Sequence, residues 1–133
     1  TADHIKLAHD LLSAIGEVVD LESEEQMDAV TGVSGSGPAY VFYMIDALAK
    51  AGEARGLSSA MAMQLAKATV AGAGALANVA EETPSQLRIN VTSPNGTTQA
   101  GLEVLMNEDH GLYPLINATV AAATRRSKEL SNG

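Results

Sequence analysis

Apolar residues recur at intervals of three and four along most of the chain, which is the spacing of helices with one buried face. Read with the residues that favour helix ends, this periodicity predicts a mainly helical domain. The predicted helices cover residues 3–15, 38–54, 59–80, 84–91, 99–106 and 112–130, with a short helix or turn after residue 23. Residues 17–21, Glu-Val-Val-Asp-Leu, are the exception and predict a short strand.

Capping residues mark the ends of these helices. Asp3 is predicted to cap the first helix, and residues 23–26 and 83–86 have the spacing of capping boxes. Pro38 suits the first turn of its helix, and Gly56 suits the position just after that helix ends. The connections between the predicted helices are therefore short.

The helix predicted at residues 59–80, with Ser58 or Ser59 as its cap, contains Gly72 and Gly74. A glycine inside a helix costs about 1 kcal/mol relative to alanine. Two explanations stay open: another helix crosses closely at this point, or the helix breaks. The apolar spacing predicts a buried side made of Met61, Leu65, Ala68, Gly72, Ala75, Leu76 and Val79.

A stretch of small residues at positions 31–37 precedes Pro38. Its Gly35-Ser36-Gly37 run resembles part of a dinucleotide-binding fingerprint, but no long strand precedes it and no third glycine follows at the required spacing. We therefore predict a flexible loop. Its small side chains would let another backbone or a ligand approach closely.

Residues 91–98 form the stretch best suited to bind a ligand. Pro94 disfavours helix at the residue before it, and Asn95 and Gly96 tolerate the positive φ of a tight turn. Either of the two threonines that follow is predicted to cap a helix starting near residue 99. Three hydroxyls lie beside the turn, those of Ser93, Thr97 and Thr98. Unpaired N–H groups at a helix start favour a small carboxylate; the alternative is an ordinary helix–helix connection.

Composition narrows the classes of function. The 133 residues suffice for one domain, and 46% apolar with only 3% aromatic content predicts a core of small aliphatic side chains. A net charge of −8 argues against a nucleic-acid surface and against electrostatic contact with an anionic membrane. The chain has no cysteine, which is compatible with a cytoplasmic protein. No apolar run approaches the length of a transmembrane helix.

The three histidines give no sign of a metal site. His4 and His9 are five residues apart and do not share a helix face, and His110 has no second ligand at a suitable spacing. We predict surface histidines and no bound metal.

Two long motifs resemble one known family. Residues 27–40, MDAVTGVSGSGPAY, resemble the segment that opens the C-terminal domain of pyrroline-5-carboxylate reductases. Residues 84–88, PSQLR, and 91–102, VTSPNGTTQAGL, resemble that family's second signature. Their order and spacing match, and the resemblance extends over about residues 3–130.

The resemblance implies an all-α helical bundle that dimerises through interleaved helices, with dimers often assembling further. Residues 1–22 would be the C-terminal remnant of a Rossmann domain, and residues 23–133 the dimerisation and substrate-binding domain. The full enzyme would reduce 1-pyrroline-5-carboxylate, a cyclic imino acid, to L-proline in the cytoplasm, using NADPH or NADH. The glycine-rich phosphate loop is absent from this chain, so the fragment alone is expected to be inactive and to bind no dinucleotide.

The same resemblance implies roles for residues of the turn. The Ser93 hydroxyl and the backbone N–H groups of Gly96 and Thr97 would hold the substrate carboxylate. Thr98 would hydrogen-bond the ring nitrogen and assist its protonation. Asn95 stands where the family usually has glycine, so its side chain either crowds the carboxylate site or adds a contact.

The resemblance also bears on residues outside the turn. Glu81 matches a family acidic position and either orients Thr98 or is a solvated helix end. Ser36 and Gly37 would lie near the nicotinamide. Ile89 stands where the family often has an acidic residue, so any polar contact from that point is in doubt.

Two further hypotheses stay open. The chain could be a helical association module with no chemistry of its own, because it lacks a cofactor loop and has an Ala/Gly-rich helix. It could also belong to another imine or ketoacid reductase with a similar helical domain.

Overall fold

The protein is all-α over the part that the computed structural model describes, residues 1–131. The helices are α1 Ala2–Ser13, α2 Met27–Val30, α3 Gly37–Glu53, α4 Ser59–Val79, α5 Pro84–Asn90, α6 Thr97–Leu105 and α7 Leu112–Ser131. A 3₁₀ turn, Glu24–Gln26, precedes α2, and a π-helical turn, Thr31–Gly35, follows it. The all-α prediction is confirmed. The last two residues of the domain predicted at 23–133 lie outside the described part.

The N-terminal segment departs from the sequence prediction. The cap of α1 is Thr1, whose Oγ1 accepts a hydrogen bond from the His4 backbone N–H at 3.4 Å, and Asp3 lies within the first turn. The strand predicted at residues 17–21 is not formed: these residues have no regular secondary structure. A strand needs a neighbouring strand to pair its backbone groups, and residues 1–131 supply none.

The first predicted capping box has neither of its bonds, because Gln26 reaches past Ser23 to the residue before it. The Gln26 side chain does reach back, and its Oε1 accepts a hydrogen bond from the Glu22 N–H at 3.0 Å. The Ser23 side chain makes no capping bond. The chain therefore enters a short 3₁₀ turn before α2 rather than a regular helix.

The predicted loop before α3 is a π-helical turn. The Ser36 N–H donates to the Thr31 carbonyl at 2.8 Å, five residues earlier. Gly32 is buried in this turn, and a Cβ built on it would lie 2.6 Å from Thr124 Oγ1 and 3.2 Å from the Val120 carbonyl oxygen of α7. The expectation that small residues allow close backbone approach is confirmed here, and the partner is α7.

Helices α3 and α4 form a hairpin. Gly56 ends α3 with a φ of 96°, and Ser58 caps α4 by accepting the Met61 N–H at 3.3 Å, as predicted. The helices meet through three buried alanines, Ala49, Ala62 and Ala66. Alanine side chains let the two helices approach closely, in agreement with the predicted small-residue core.

The predicted buried side of α4 is wrong within the single chain. Met61 and Leu65 are about half exposed and Val79 is 77% exposed, because the neighbouring stripe with Ala62 and Ala66 faces α3 instead. The helix runs unbroken through both of its interior glycines, so the predicted alternative of a break is excluded. A Cβ built on either glycine would meet no atom within 4 Å outside the adjacent backbone of its own helix.

The single chain has almost no core. Within residues 1–131, only the three alanines are both hydrophobic and buried. Many large apolar side chains are exposed, including Phe42 at 66% and Tyr113 at 79%. The accessible surface is 10547 Å², whereas a folded monomer of this size exposes roughly 6,600 Å². An exposed apolar surface of this size is typical of one that packs against another domain or another chain.

An apolar cleft lies between α3 and α7. Its volume is about 570 Å³. It is lined mainly by Ala39, Tyr40, Tyr43, Met44, Leu48, Leu105, Leu112, Leu115 and Ile116. The cleft is therefore an open apolar surface, of the kind that packs against a further apolar element.

Candidate functional site

The turn between α5 and α6 places the residues singled out from the sequence. Asn95 takes the left-handed conformation, with φ 57°, and the Gly96 N–H donates to the Ser93 carbonyl at 3.0 Å. Gly96 has a φ of −87° and is the N-cap of α6. The tight turn is therefore confirmed, with the positive φ on Asn95.

The predicted threonine cap is wrong. Helix α6 begins at Thr97, two residues earlier than expected, and the cap is Gly96 with no side-chain bond. The reason is that Asn95 alone completes the reversal, so the chain enters the helix directly after Gly96. Thr97 and Thr98 thus belong to the first turn of the helix, and their hydroxyls are not used as caps.

Several hydrogen-bond donors around this turn are unused. The backbone N–H groups of Thr97, Thr98 and Gln99 lie in the first turn of α6 and donate to no group within residues 1–131. The hydroxyls of Ser93, Thr97 and Thr98 also make no hydrogen bond in the described part of the chain, and these three residues are exposed. Unpaired amides at the positive end of a helix, next to free hydroxyls, can bind an anion.

The entry to the turn is fixed by α5. Thr83 caps this helix by accepting the Gln86 N–H at 3.2 Å, so the second predicted capping box has its N-cap bond. At the other end the Thr92 hydroxyl donates to the Arg88 carbonyl at 2.6 Å, and its N–H donates to the Ile89 carbonyl at 3.0 Å. These bonds close α5 just before Ser93.

Gln99 is a residue that the sequence reasoning missed. Its Oε1 accepts a hydrogen bond from the Asn95 N–H at 2.8 Å, and its Nε2 donates to Glu103 Oε1 at 3.3 Å. The available signal was spacing: Gln99 stands three residues after the N-cap Gly96, where a glutamine can reach back to the residues that precede a helix.

A groove of about 480 Å³ runs beside the turn, between α5 and α6. Its lining is Arg88, Ile89, Thr92, Gln99, Leu102, Glu103 and Met106. Ile89 is 55% exposed and presents an apolar side chain to this groove, so the groove has no carboxylate at that position.

Three other predicted residues are not joined to the turn by hydrogen bonds. Glu81 is exposed in the connection between α4 and α5 and makes no hydrogen bond or ion pair among residues 1–131. Ser36 and Gly37 are half-buried at the start of α3. The roles assigned to these three residues stay predictions.

The histidines of the chain are not gathered into a metal site within the described residues. His4, His9 and His110 are exposed, and residues 1–131 contain no cluster of three or more side chains suited to hold a metal ion. None of the helices described there combines the length and the apolar character needed to span a bilayer.

Comparison with protein families gives one clear match. The family model described as pyrroline-5-carboxylate reductase dimerisation matches residues 24–130. A Synechocystis protein named pyrroline-5-carboxylate reductase is 51% identical over 128 residues, which are 96% of this chain and 47% of that protein. The Pseudomonas aeruginosa protein of the same name is 44% identical over 131 residues, which are 98% of this chain and 47% of that protein.

Solved structures agree with this match. A pyrroline-5-carboxylate reductase from Coxiella burnetii superposes with a TM-score of 0.91 at 39% identity, covering 98% of this chain and 47% of that one. A Plasmodium falciparum pyrroline carboxylate reductase with NADP bound has a TM-score of 0.82 at 30% identity, covering 97% of this chain and 48% of that one.

The chain spans about half the length of the curated relatives it matches. The part in common contains both sequence motifs and the turn between α5 and α6. Because the family model covers most of the chain and the superposition covers nearly all of it, the chain belongs to the pyrroline-5-carboxylate reductase dimerisation family.

Proposed function

We propose that this chain is the dimerisation and substrate-binding part of a reductase that converts 1-pyrroline-5-carboxylate to L-proline. The observation that carries the proposal is the set of unpaired amides and hydroxyls at the start of α6. It lies within the motif that resembles the family's second signature. The relatives' names support the choice of reaction.

The substrate carboxylate is assigned to the turn. The Ser93 hydroxyl and the N–H groups at Thr97 and Thr98 are free to donate to it. The Gly96 N–H already donates to the Ser93 carbonyl. It is therefore less available to bind the substrate carboxylate, which is the role that the resemblance implied for it. Local N–H donors suit this chain because its net charge of −8 gives no general attraction for an anion.

The imine nitrogen is assigned to the Thr98 hydroxyl. Reduction adds a hydride to the carbon of the C=N bond and a proton to the nitrogen, and an imine accepts hydride more readily when its nitrogen is hydrogen-bonded or protonated. A threonine hydroxyl is a weak acid, so Thr98 positions the imine or relays a proton. Glu81 orienting Thr98 is part of the proposal.

The hydride is assigned to NADPH or NADH. The Plasmodium falciparum structure holds NADP, which supports a nicotinamide cofactor in the whole enzyme. Ser36 and Gly37 are proposed to lie near the nicotinamide. A Cβ on Gly37 would meet nothing within 4 Å in this chain, so there is room for such an approach.

The partner is assigned as a second copy of this chain. The excess of exposed surface over a monomer of this size is roughly 4,000 Å², and the cleft between α3 and α7 is apolar. Covering this excess on both chains would bury roughly 8,000 Å² in total, at or above the upper end of the range for obligate dimers. We propose interleaved helices that cover this cleft, with further assembly of dimers left open. The division of the chain at residue 22 and a cytoplasmic location stay predictions.

The proposal is tested in a hybrid enzyme, the dinucleotide-binding half of the Synechocystis relative joined ahead of residue 1. Oxidation of NADPH with 1-pyrroline-5-carboxylate is followed by absorbance. Turnover is expected, and a folded dimer without turnover would refute the assigned reaction. Related cyclic imines and 2-ketoacids assayed in parallel would reveal a reductase of different specificity.

A second function is favoured by the exposed apolar surface: association alone, without chemistry. It is compatible with the first, since the isolated chain lacks a phosphate-binding loop. Light scattering on the isolated chain is expected to give a dimer or a larger oligomer. A folded monomer at micromolar concentration would contradict both the association function and the proposed partner.

A further inference from the structure

Gln99 links the turn to the body of α6. Its Oε1 accepts the Asn95 N–H at 2.8 Å, and its Nε2 donates to Glu103 one helical turn later at 3.3 Å. Gln99 is itself half-buried. The chain of bonds Asn95–Gln99–Glu103 therefore runs from the turn into the helix.

The bond to Asn95 acts on the strained point of the turn. Asn95 has a φ of 57°, a conformation in which a residue with a Cβ is less stable than glycine. Holding its N–H fixes the peptide between Pro94 and Asn95. It also occupies a donor that would otherwise compete with Thr97 and Thr98 for an anion.

We propose that Gln99 is a positioning residue for the carboxylate site. It sets the orientation of the turn, and through the turn the positions of the Ser93 hydroxyl and the amides that follow Gly96. Its side chain need not touch the substrate, because Oε1 and Nε2 are already engaged. This inference rests on the proposed function and assigns the Asn95–Gln99 pair to its substrate affinity.

The test uses Gln99→Met in the hybrid enzyme, since methionine keeps the length and helix preference of glutamine without its oxygen. The variant loses the bond to the Asn95 N–H together with the bond to Glu103. Loss of the bond to the turn predicts a rise in KM for the imine of about three- to tenfold. The kcat is expected to change by less than about twofold, because chemistry at the imine is not altered. Gln26→Met is the matched control: it removes the same kind of reach-back bond, to the Glu22 N–H, and is expected to leave KM unchanged.

A second variant keeps the inference testable if Gln99→Met does not fold. In Q99E/E103Q the introduced carboxylate accepts from the Asn95 N–H and from the introduced amide at position 103, so both bonds are retained and only the bond between positions 99 and 103 reverses its direction. Both Q99E and the double variant place a carboxylate beside the proposed carboxylate site, so both should raise KM above that of the unmodified hybrid enzyme. The double variant is expected to have the lower KM of the two, because Q99E alone also places two carboxylates together and loses the bond between positions 99 and 103.

The outcomes distinguish a failure of the proposed function from a failure of the positioning role of Gln99. An unmodified hybrid without turnover overturns the proposed function and this inference with it. Turnover combined with an unchanged KM in Gln99→Met overturns the positioning role alone. If Gln99→Met does not fold, a double variant with a KM as high as that of Q99E overturns it in the same way.

Discussion

Replacing Gly72 with alanine tests whether a second copy of the chain crosses α4. Gly72 lies on the same face of α4 as Met61, Leu65 and Val79, which are all exposed in the single chain. A Cβ at Gly72 meets nothing within 4 Å in this chain. If nothing covers this face, alanine should stabilise the helix by about 1 kcal/mol.

The proposed dimer predicts the opposite sign. A methyl group inserted into a close helix crossing costs about 1–3 kcal/mol. Set against the propensity gain of about 1 kcal/mol, the net effect centres on about 1 kcal/mol of destabilisation per chain. Two chains carry the change, so the dimer loses about 2 kcal/mol relative to two unfolded chains, and the equilibrium constant for dissociation coupled to unfolding rises roughly 30-fold.

Gly74→Ala is the matched control. Gly74 lies in the same helix and also has open space at its Cβ, but two residues along a helix turn the side chain by about 200°. It therefore points away from the face that contains Gly72, and its replacement should stabilise by up to about 1 kcal/mol.

The assay is urea unfolding at several protein concentrations, with light scattering to follow the dimer. Gly72→Ala should lower the unfolding midpoint at every protein concentration and move the loss of the dimer in light scattering to a higher concentration, and Gly74→Ala should raise the midpoint. If Gly72→Ala stabilises an intact dimer as much as Gly74→Ala does, no helix crosses at Gly72 and the reasoning fails.

Three further changes give separate tests. Thr98→Ala in the hybrid enzyme should lower kcat about tenfold or more without changing the unfolding midpoint, because it removes the hydroxyl assigned to the imine; an unchanged kcat would remove that role. Gly32→Ala should destabilise by about 1–3 kcal/mol in urea unfolding, since its Cβ would lie 2.6 Å from Thr124 Oγ1, and adding Thr124→Ala should recover part of the loss. Asn95→Gly should raise the free energy of unfolding by a few tenths of a kcal/mol to about 1 kcal/mol, because glycine adopts the left-handed conformation without strain. In steady-state assays of the same variant, a lower KM would mean that the asparagine side chain crowds the substrate carboxylate. A higher KM would mean that this side chain contacts the carboxylate.

Helix positions were predictable from sequence because their signals are local. Ser58 and Thr83 cap their helices through their own side chains, and Gly56 supplies the positive φ after α3. The tight turn was also predictable, since Asn95 and Gly96 follow a proline and both tolerate a positive φ; which of the two takes it was not. Each of these features depends on residues within a few positions of one another.

Features that depend on distant or missing partners were not predictable. The strand at residues 17–21 has the right residue types but no pairing partner in residues 1–131. The π-helical turn at 31–35 depends on Gly32 meeting α7, almost ninety positions away. The prediction of the buried side of α4 was wrong for the same reason, because α3 packs against the alanine stripe and leaves the larger apolar stripe uncovered.

The candidate site and the core therefore have different origins. The turn is held by bonds that span five residues or fewer: Thr92 to Arg88, Gly96 to Ser93 and Asn95 to Gln99. The single chain can form these bonds although it buries almost no large side chain. In the proposed dimer, the donors for the carboxylate would thus be arranged by each chain alone, and association would supply the stability and exclude water around them. Substitutions in the turn should then alter KM or kcat with little effect on the dimer, whereas substitutions at Gly72 should act through dissociation.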